Sequence, residues 1–507
     1  MRKRNVLIVV FLTASWASSQ SSSRGPLTPP DVQAALVDIR ATSLRGDLMF
    51  LASDLLEGRA TPSRGLDIAA EYIAGQFQIA GLKPAVQGHY FQTAPMVVAE
   101  PDYANFELKL SRGGHELAIN ANNAVFRLDA ALNLDQAPLF KLDLADAQLL
   151  DHLTASEVEG KVVIAEFTPS SGARLRSISK LLRTAKPKLT IMVDPKGVQA
   201  HQEPGNRLED PDEPGRARGS PRITLTGEAA GRFYAALESG SSDASITAHI
   251  DAPIRKEVTV RNVIGVLPGS DPALRDTCIM LTAHYDHLGM RPGGSGDRIY
   301  NGANDDGSGT VSVIEIARAL ASLKQRPKRS IVFMTFFGEE EGLIGSEYYA
   351  HHPVWPLDKT IAQLNLEQVG RTDSTEGRQI SNATLTGFDY SDLTSYVQRA
   401  GASTGIRIYK HAQNSDAYFG QSDNLSLAEA GVPAETLAVA FDFPDYHAVG
   451  DEWQKIDYDN MAKVDRAVAL ALYLMADSEQ PVRWNEANPK TAPYVKAGKR
   501  LRQPAPQ

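Results

Sequence analysis

The stretch Cys278-Ile-Met-Leu-Thr-Ala-His284-Tyr-Asp286-His287 decides the fold of this 507-residue chain. Cys278 to Ala283 is a short apolar run with no helical period, which is typical of a strand buried on both faces. His284 and Asp286 follow at its end, and alternate residues of an extended chain point the same way. The stretch therefore predicts a buried strand that delivers an imidazole and a carboxylate side by side.

The residues that follow complete a strand–helix–strand unit. Asn301-Gly-Ala-Asn-Asp-Asp-Gly-Ser-Gly309 is an acidic, turn-rich loop that opens a helix at Ser308, and the apolar residues of this helix recur every three or four positions. Ser330 to Phe337 is a second β-rich run, which ends in Glu339-Glu-Glu-Gly342. Ligands of open α/β sheets bind beyond the carboxyl ends of the strands. Histidine and carboxylates at those ends form a donor set suited to zinc, and also to manganese or cobalt.

Five short motifs together resemble the co-catalytic zinc aminopeptidases of the M28 peptidase family. They are, in chain order, His284-x-Asp286, Gly302-Ala-Asn-Asp305-Asp-Gly-Ser-Gly309, Gly338-Glu339-Glu340-x-Gly342-Leu-x-Gly-Ser346, Asn365-Leu-Glu367 and Asp445-Tyr-His447. The resemblance covers residues 45–90 and 256–478, and more weakly the segment between them. It implies the zinc-exopeptidase fold, which is an α/β fold with a mixed, mostly parallel central sheet flanked by helices. A β-rich domain would be inserted into it.

The resemblance also implies two Zn2+ ions per chain. Asp305 would bridge the two ions. His284 and Glu367 would bind one of them. Glu340 and His447 would bind the other.

Three further residues take catalytic positions in the resemblance. Glu339 would act as the general base that takes a proton from water and passes it to the leaving amine. Asp286 would fix the tautomer of His284. Tyr446 would help to hold the oxyanion, as a tyrosine does in some members of the family.

Two positions depart from the family pattern. Glu367 stands where the family usually has aspartate, and its extra methylene group requires a more distant backbone or an altered metal geometry. Ser422-Asp-Asn424 stands where the family often has Ser-Asp-His, in a segment that helps to line the substrate side. Substrate specificity is therefore the property that the resemblance defines least.

Two smaller expectations complete the predicted site. The resemblance implies a cis peptide bond between Asp305 and Asp306. Four histidines have no partner in any motif, and we interpret them as structural or surface residues: His287, His351, His352 and His411.

The overall charge argues against two classes of partner. The chain has 52 Lys and Arg against 61 Asp and Glu, a formal net charge of −9, and it has no basic stripe. Such a chain is a poor candidate for binding nucleic acid or an anionic membrane. The single cysteine, Cys278, excludes an intrachain disulfide.

The N-terminus has the pattern of a secretory signal peptide. Arg2-Lys-Arg4 precedes an apolar run from Val6 to Ala14, and Ala17-Ser-Ser19 is a small-residue cleavage site. The apolar run is too short to span a bilayer, so we expect no stable membrane anchor. The predicted location is secreted or periplasmic.

Composition and motifs predict six regions. They are a signal peptide (1–19), a flexible segment (20–40), N-terminal helices of the peptidase domain (41–93), an insert (94–255), the zinc peptidase domain (256–480) and a C-terminal tail (481–507). Val158-Glu-Gly-Lys-Val-Val-Ile164, followed later by Leu189-Thr-Ile-Met-Val193, resembles a protease-associated (PA) domain. Residues 201–221 are rich in proline, glycine and charge, which predicts an exposed loop or lid.

The favoured function is a secreted metallo-aminopeptidase that hydrolyses N-terminal residues from peptides. Carboxypeptidase or glutaminyl-cyclase chemistry on the same fold is an alternative. Cyclases of this kind use one zinc, whereas His284 together with a carboxylate at 367 favours two. A non-catalytic peptide-binding protein is a third hypothesis, and the intact Glu339 argues against it.

Overall fold

The computed structural model describes residues 28–167, 182, 185–197, 206–212, 221–291 and 296–503. Within these ranges the chain forms a large β-sheet, a smaller β-sheet and two short ribbons, Gly289–Met290 with Ile299–Tyr300 and Asp373–Ser374 with Gly377–Arg378. None of the helices in these ranges combines the length and the apolar character needed to cross a bilayer. The predicted signal peptide, residues 1–19, lies outside the described residues.

The large sheet has ten strands among the described residues. In spatial order these are Arg407–Tyr409, Asn382–Leu385, Ala434–Ala438, Thr360–Leu366, Cys278–His284, Ser330–Phe336, Ile254–Leu267, Phe91–Glu100 and Arg207–Glu209, with Lys83–Pro84 paired beside Ile254–Leu267. The four strands from Ala434–Ala438 to Ser330–Phe336 run parallel, and strands flanking them pair antiparallel. The sheet is therefore mixed as predicted, but parallel pairing belongs mainly to its middle.

The central strand, Cys278–His284, is buried along its whole length. Ile279 and Leu281 belong to the hydrophobic core on one face of the sheet, whereas Cys278 and Met280 belong to the core on the other face. Because both faces are covered, the strand has no polar positions to alternate with apolar ones. This explains why its sequence is an uninterrupted apolar run.

Helices cover both faces of the large sheet. Those that contribute to the larger core are Pro30–Val37, Ala41–Leu51, Arg64–Ile79, Gly309–Ala321, Leu393–Thr404 and Tyr458–Asp477. The core on the other face receives residues from Ile344–His351, Asn424–Glu429 and Ala492–Leu501. A further short helix is Asn414–Ala417. The N-terminal helices predicted within residues 41–93 thus pack against a sheet whose central strands come some 200 residues later in the chain.

The prediction of a flexible segment at residues 20–40 is wrong for its described part. Pro30–Val37 is a helix, and Val32 in it is completely buried. The guanidinium of Arg466 donates hydrogen bonds to the carbonyl oxygens of Leu36 and Ile39. The segment is ordered because it packs on the helix Tyr458–Asp477, which carries Arg466. A serine- and proline-rich composition does not reveal this contact.

The prediction of a mobile C-terminal tail at residues 481–507 is also wrong for its described part. Pro489–Thr491 and Ala492–Leu501 are helical. The indole of Trp484 stacks on Tyr494 with ring centroids 5.3 Å apart, and its Nε1 donates to Gly431 O. The tail is held by this aromatic pair, which joins the smaller core.

The insert forms the smaller sheet. In spatial order its strands are His115–Ala118, Glu107–Arg112, Gly240–Ile250, Leu132–Lys141, Val162–Glu166, Leu189–Asp194, Arg222–Thr226 and Ala124–Arg127, and its helices are Ala147–His152, Ala155–Val158 and Glu228–Ala235. The predicted boundaries of 94 and 255 fall inside two long strands of the large sheet, Phe91–Glu100 and Ile254–Leu267. The smaller sheet is thus a separate layer, and its likeness to a PA domain stays a prediction.

The predicted exposed loop at 201–221 is described only at 206–212 and 221. The prediction is wrong for Arg207–Glu209, which is a strand on the edge of the large sheet, paired with Phe91–Glu100. Residues 211 and 212 form an exposed turn, as predicted. Leu208 is buried in the larger core. Arg207 pairs with both Asp129 and Glu209, so charges that suggested solvent exposure bind one another instead.

Candidate metal centre

The five predicted ligands lie together at the carboxyl edge of the parallel strands. They are His284, Asp305, Glu340, Glu367 and His447. His284 ends the strand Cys278–His284, and Glu367 follows the neighbouring strand Thr360–Leu366. Asp305 lies in the turn before the helix Gly309–Ala321. Parallel strands end at one edge of a sheet, which is why residues far apart in sequence meet there.

Asp305 lies between two histidines. Its Oδ1 is 3.3 Å from His284 Nε2, and its Oδ2 is 3.1 Å from His447 Nε2. His284 Nε2 is also 3.3 Å from Glu367 Oε1. His447 Nε2 is 3.3 Å from Glu340 Oε2. The two oxygens of one carboxylate therefore face two separate imidazole–carboxylate pairs, as a carboxylate shared by two cations requires.

The distances between potential ligand atoms also allow a slightly different grouping. Among the described residues, two sets of three have ligand atoms within 4.8 Å of one another: His284, Asp306 and Glu367, and His287, Asp305 and Glu340. The first set contains Asp306 in place of Asp305. Asp306 Oδ1 already accepts hydrogen bonds from Gly309 N at 2.9 Å and Gln368 N at 3.2 Å. We therefore favour Asp305 as the shared carboxylate, because both of its oxygens face imidazoles.

His287 is the residue at this centre that the sequence interpretation missed. It is 1% exposed, and its Nδ1 is 2.8 Å from Glu340 Oε1. Its ring centroid is 5.7 Å from that of His447. His287 is therefore not a surface residue, and it borders the second imidazole–carboxylate pair. The only signal in the sequence is its position three residues after His284.

The donor set fits a pair of zinc ions. Imidazoles and carboxylates are ligands that zinc accepts. Several buried polar atoms here have no hydrogen-bond partner within the described chain, namely both ring nitrogens of His287, Glu340 Oε1 and Asp306 Oδ2. Such orphaned groups are rare in folded proteins. Bound cations would satisfy the atoms that point into the centre.

Asp286 lies behind His284. Its Oδ1 is 3.5 Å from His284 Nδ1, and its backbone oxygen is 3.2 Å from the same nitrogen. The same carboxylate oxygen accepts a hydrogen bond from Glu339 N at 3.1 Å. Asp286 thus contacts both a predicted ligand and the predicted base, and it can orient them together.

The adjacent glutamates 339 and 340 have opposite electrostatic environments. Burial raises the pKa of Glu339 well above its usual value, and the charges of Glu367 and Glu340 raise it further. Burial also disfavours ionisation of Glu340, but the nearby His447 and the His287 contact lower its pKa to about 2. Neighbouring carboxyls with pKa values pushed apart are typical of an acid–base group beside a permanent anion.

Tyr446 lies at the surface of the centre. Its side chain is 44% exposed, and its ring stacks on the imidazole of His447 with centroids 4.0 Å apart. This position is next to the predicted ligands and open to solvent, so a bound substrate can reach it.

Glu367 is held by a chain of buried polar side chains. Ser422 Oγ donates to Glu367 Oε2 at 2.6 Å, and Asn365 Nδ2 donates to Ser422 Oγ at 2.8 Å. Asn424, the other departure from the family pattern, is completely buried and accepts a hydrogen bond from Thr436 Oγ1 at 2.7 Å. Asn424 therefore faces the interior. The resemblance had implied instead that its segment lines the substrate side.

The loops that carry the ligands are tied to one another. Both Asn304 N and Asp305 N donate to the buried carboxylate of Asp451 at 3.0 Å. Asn304 Oδ1 accepts from Gly370 N at 2.9 Å and from Arg371 N at 2.8 Å. The peptide bond after Asp305 is cis, as expected. One aspartate and one asparagine thus connect the loops of Asp305, Glu367 and His447.

Arg59 reaches the same loops from the N-terminal segment. It is 1% exposed and donates to Tyr285 O at 2.8 Å, Asn301 O at 2.7 Å, Gly302 O at 2.9 Å and Leu51 O at 2.5 Å. Burial lowers the pKa of Arg59 to about 10, while nearby aspartates oppose the shift. The guanidinium stays charged at neutral pH. It binds the backbone just after His284, at Tyr285, and just before Asp305, at Asn301 and Gly302.

The remaining predicted non-ligand histidines lie apart from the clusters found among the described residues. His351 and His352 are exposed near the end of the helix Ile344–His351. His411 Nε2 is 2.5 Å from Glu376 Oε2. Their interpretation as structural or surface residues agrees with these positions.

Comparisons with known proteins give likenesses in sequence and in fold. Aminopeptidase YwaD of Bacillus subtilis (strain 168) is 29% identical over 231 residues, which are 44% of this chain and 46% of YwaD. The chain therefore matches about half the length of this curated relative. The solved aminopeptidase from Aneurinibacillus sp. strain AM-1 is 20% identical, with a TM-score of 0.57, over 90% of this chain and 97% of that one. The structure of BSAP, a zinc aminopeptidase from Bacillus subtilis, is 19% identical, with a TM-score of 0.54, over 87% and 96%.

The two structural likenesses establish the fold, since their sequence identities are low. A family profile adds a match in sequence, and it covers the four parallel strands and every residue of the metal centre. Residues 262–472 match Peptidase family M28. The part of the chain that holds the candidate site therefore resembles this peptidase family, and the match spans less than half of the 507 residues.

Proposed function

We propose that this protein is a zinc aminopeptidase that removes N-terminal residues from peptides. The observation that carries the proposal is the position of Asp305, whose two oxygens lie 3.3 and 3.1 Å from the imidazoles of His284 and His447. The likeness to peptidase family M28 supports peptide hydrolysis, and the names of YwaD and BSAP support an aminopeptidase. The predicted signal peptide supports action outside the cytoplasm.

The proposal assigns a role to each ligand. Asp305 would be shared by the two zinc ions. His284 and Glu367 would hold one ion. Glu340 and His447 would hold the other. When bound, a zinc pair lowers the pKa of a water molecule and polarises the scissile carbonyl.

Glu339 is the proposed general base. Its Oε2 is 3.9 Å from His284 Nε2, so its carboxylate borders the shared space without replacing a ligand. Its raised pKa suits a group that accepts a proton from water and then gives it to the leaving amine. Asp286 contacts both Glu339 N and His284 Nδ1, and so it fixes the position of the base relative to the ligand. Tyr446, whose ring stacks on that of His447, is the residue proposed to donate from its hydroxyl to the developing oxyanion.

The test compares two identical substitutions at neighbouring positions. Glu339→Gln should keep two zinc ions per chain and lose about 10²–10⁴-fold in kcat, the usual contribution of a general base. Glu341→Gln is the matched control, and it should retain activity. Zinc content is measured by elemental mass spectrometry, and turnover is measured with aminoacyl-p-nitroanilides.

A substrate panel separates the alternatives. An aminopeptidase cleaves peptides with a free N-terminus and ignores those with an acetylated N-terminus. Release of C-terminal residues alone would favour a carboxypeptidase, and cyclisation of N-terminal glutamine with one zinc per chain would favour a cyclase. A zinc-loaded protein that cleaves none of these peptides, or a Glu339→Gln variant with most of its activity, would contradict the proposal.

A further inference from the structure

We infer that His287 is a third imidazole of the metal centre and binds the ion held by Glu340 and His447. The inference rests on the proposed function for the presence of that ion. It adds a ligand to the five that the family resemblance implies, and it divides the two ions into unequal sites.

The first observation is that the imidazole of His287 is buried but unsatisfied. The residue is 1% exposed, and neither ring nitrogen has a hydrogen-bond partner among the described residues. A structural histidine in a core normally donates from one nitrogen and accepts at the other. A buried imidazole without either bond is rare, and it calls for a partner such as an ion.

The second observation concerns the atom that His287 faces. Its Nδ1 lies 2.8 Å from Glu340 Oε1, and this oxygen also has no hydrogen-bond partner among the described residues. The distance would suit a hydrogen bond, but the two groups are not aligned as donor and acceptor. A cation beside both atoms would satisfy a ring lone pair and a carboxylate lone pair at once.

The third observation is that Glu340 lies between two imidazoles. Its Oε1 is next to His287, while its Oε2 is 3.3 Å from His447 Nε2. The two imidazole rings meet edge to face, 5.7 Å apart at an angle of 74°. Together with Asp305, these side chains surround one position with two nitrogen and two carboxylate donors.

The backbone fixes the ring of His287 in this place. Gly302, at φ +58°, lies against the ring, and a Cβ atom there would be 2.4 Å from His287 Cγ. His287 N donates to Arg59 O at 3.2 Å. Any side chain at 302 would collide with the imidazole, so the close approach requires glycine.

With His287 as a ligand, the two ions have different numbers of protein ligands. The ion at His287 has Asp305, Glu340 and His447 as its other protein ligands, whereas the ion at His284 has only Asp305 and Glu367 besides. Catalytic zinc commonly keeps three protein ligands and an open position. The His287 ion is therefore the more tightly held, and the His284 ion has the more open coordination sphere.

The experiment measures zinc affinity directly. Chelator competition on the full chain should show two ions lost in separate steps. His287→Asn places an amide near the position of Nδ1, and His287→Leu removes every donor. Both variants should lower the affinity for the more tightly bound zinc ion more than 100-fold. This exceeds the 10–100-fold loss expected for a residue that only orients a ligand. His352→Asn is the matched control on an exposed histidine, and it should change neither step.

Two measurements keep the inference falsifiable. Circular dichroism and thermal melting of the metal-free variants show whether they fold. A crystal structure of the wild-type chain in zinc, with anomalous scattering, should place a ring nitrogen of His287 about 2.1 Å from an ion. Ions more than 3 Å from both ring nitrogens, with His287→Asn within tenfold of wild-type affinity, would overturn the inference. Zinc affinity and the zinc positions in the crystal can both be measured without peptide hydrolysis. Absence of peptidase activity would therefore refute the proposed function and not this inference.

Discussion

Replacing Arg59 by methionine should damage the metal centre, although Arg59 is predicted to bind no ion. Methionine has a similar length and fills the space, but it lacks the donors that reach the carbonyl oxygens of Tyr285, Asn301, Gly302 and Leu51. The chain that presents His284 and the loop that presents Asp305 would both lose an anchor. Two properties should therefore change, the stability of the fold and the affinity for zinc.

The structure sets the size of the effect on stability. Four hydrogen bonds from a charged donor are lost, each contributing about 1.5–3 kcal/mol, while relief from burying the cation offsets part of the loss. We expect a net decrease of about 4 kcal/mol in the free energy of unfolding. With an unfolding entropy of about 2.1 cal/mol/K per residue, this lowers the Tm of the 507-residue chain by about 4 °C. Zinc affinity should fall about 10–100-fold, as for residues that orient metal ligands.

A matched control is available in Arg329. It is 3% exposed and donates to Ser478 O at 3.2 Å, Glu479 O at 3.0 Å and Thr277 Oγ1 at 2.6 Å. It precedes the strand Ser330–Phe336, at the edge of the sheet opposite the metal centre. Arg329→Met should therefore lower Tm by a similar amount and leave zinc affinity unchanged.

The assay combines thermal melting of the metal-free chain with chelator competition for zinc. Arg59→Lys keeps the charge but cannot make four bonds, so it should lie between wild type and Arg59→Met in both measurements. Equal zinc affinity in Arg59→Met and Arg329→Met would refute the reasoning, because it would reduce Arg59 to an ordinary buried arginine.

Three further predictions concern other parts of the chain. Ser422→Ala removes the 2.6 Å hydrogen bond to Glu367, so zinc affinity should fall about 10–100-fold; affinity equal to wild type would show that Glu367 needs no support. Burial raises the pKa of Glu435 to about 8 in the folded chain, so its protonated form stabilises the fold fully below about pH 4.5, and this stability is lost as the pH rises through 8. Glu435→Gln should therefore remove a slope of about 1.4 kcal/mol per pH unit between pH 5 and 8 in denaturant unfolding, and an unchanged slope would reject this assignment. Trp484→Ala removes the stacking on Tyr494 and should cost about 3–5 kcal/mol, with faster proteolytic release of the C-terminal helix; an unchanged cleavage rate would mean that the helix is held by other contacts.

The central strands were predictable from sequence because their environment is uniform. Cys278–Ala283 was expected, and the strand runs Cys278–His284. Helices cover both faces, so every residue of the strand is buried and its sequence is a continuous apolar run. Such a run can be recognised without knowing which elements pack against it. The same holds for Ser330–Phe336, predicted to within one residue.

The two terminal segments were mispredicted because their order comes from distant partners. Val32 is buried by packing in the larger core, and Trp484 by stacking on Tyr494. Neither segment has a strong period of its own, and their composition resembles that of linkers. Order of this kind is visible only once the elements they pack against are in place.

The candidate site divides in the same way. The sequence predicts that His284, Asp305 and Glu367 meet, because each lies in a motif at the end of a strand or the start of a helix, and the structure brings them together; their binding of metal stays a prediction. The place of His287 beside them could not be predicted, because it depends on the path of the chain after Asp286 and on the absence of a side chain at Gly302. The direction of Asn424 likewise depends on its bond with Thr436.

The long pairing of Phe91–Glu100 with Ile254–Leu267 has a consequence for how this chain can vary. Glu100 lies directly opposite Ile254, so the chain departs for the smaller sheet and returns from it at one point. A two-residue hairpin turn could join these residues, and the intervening domain could be excised with every proposed zinc ligand kept on its own strand. The excision would uncover the sheet edge now paired with Arg207–Glu209, which would need a charged or proline cap. The size of the smaller sheet can therefore change without moving the strands that carry the proposed ligands, provided that the contacts of Arg207–Glu209 with the large sheet are replaced.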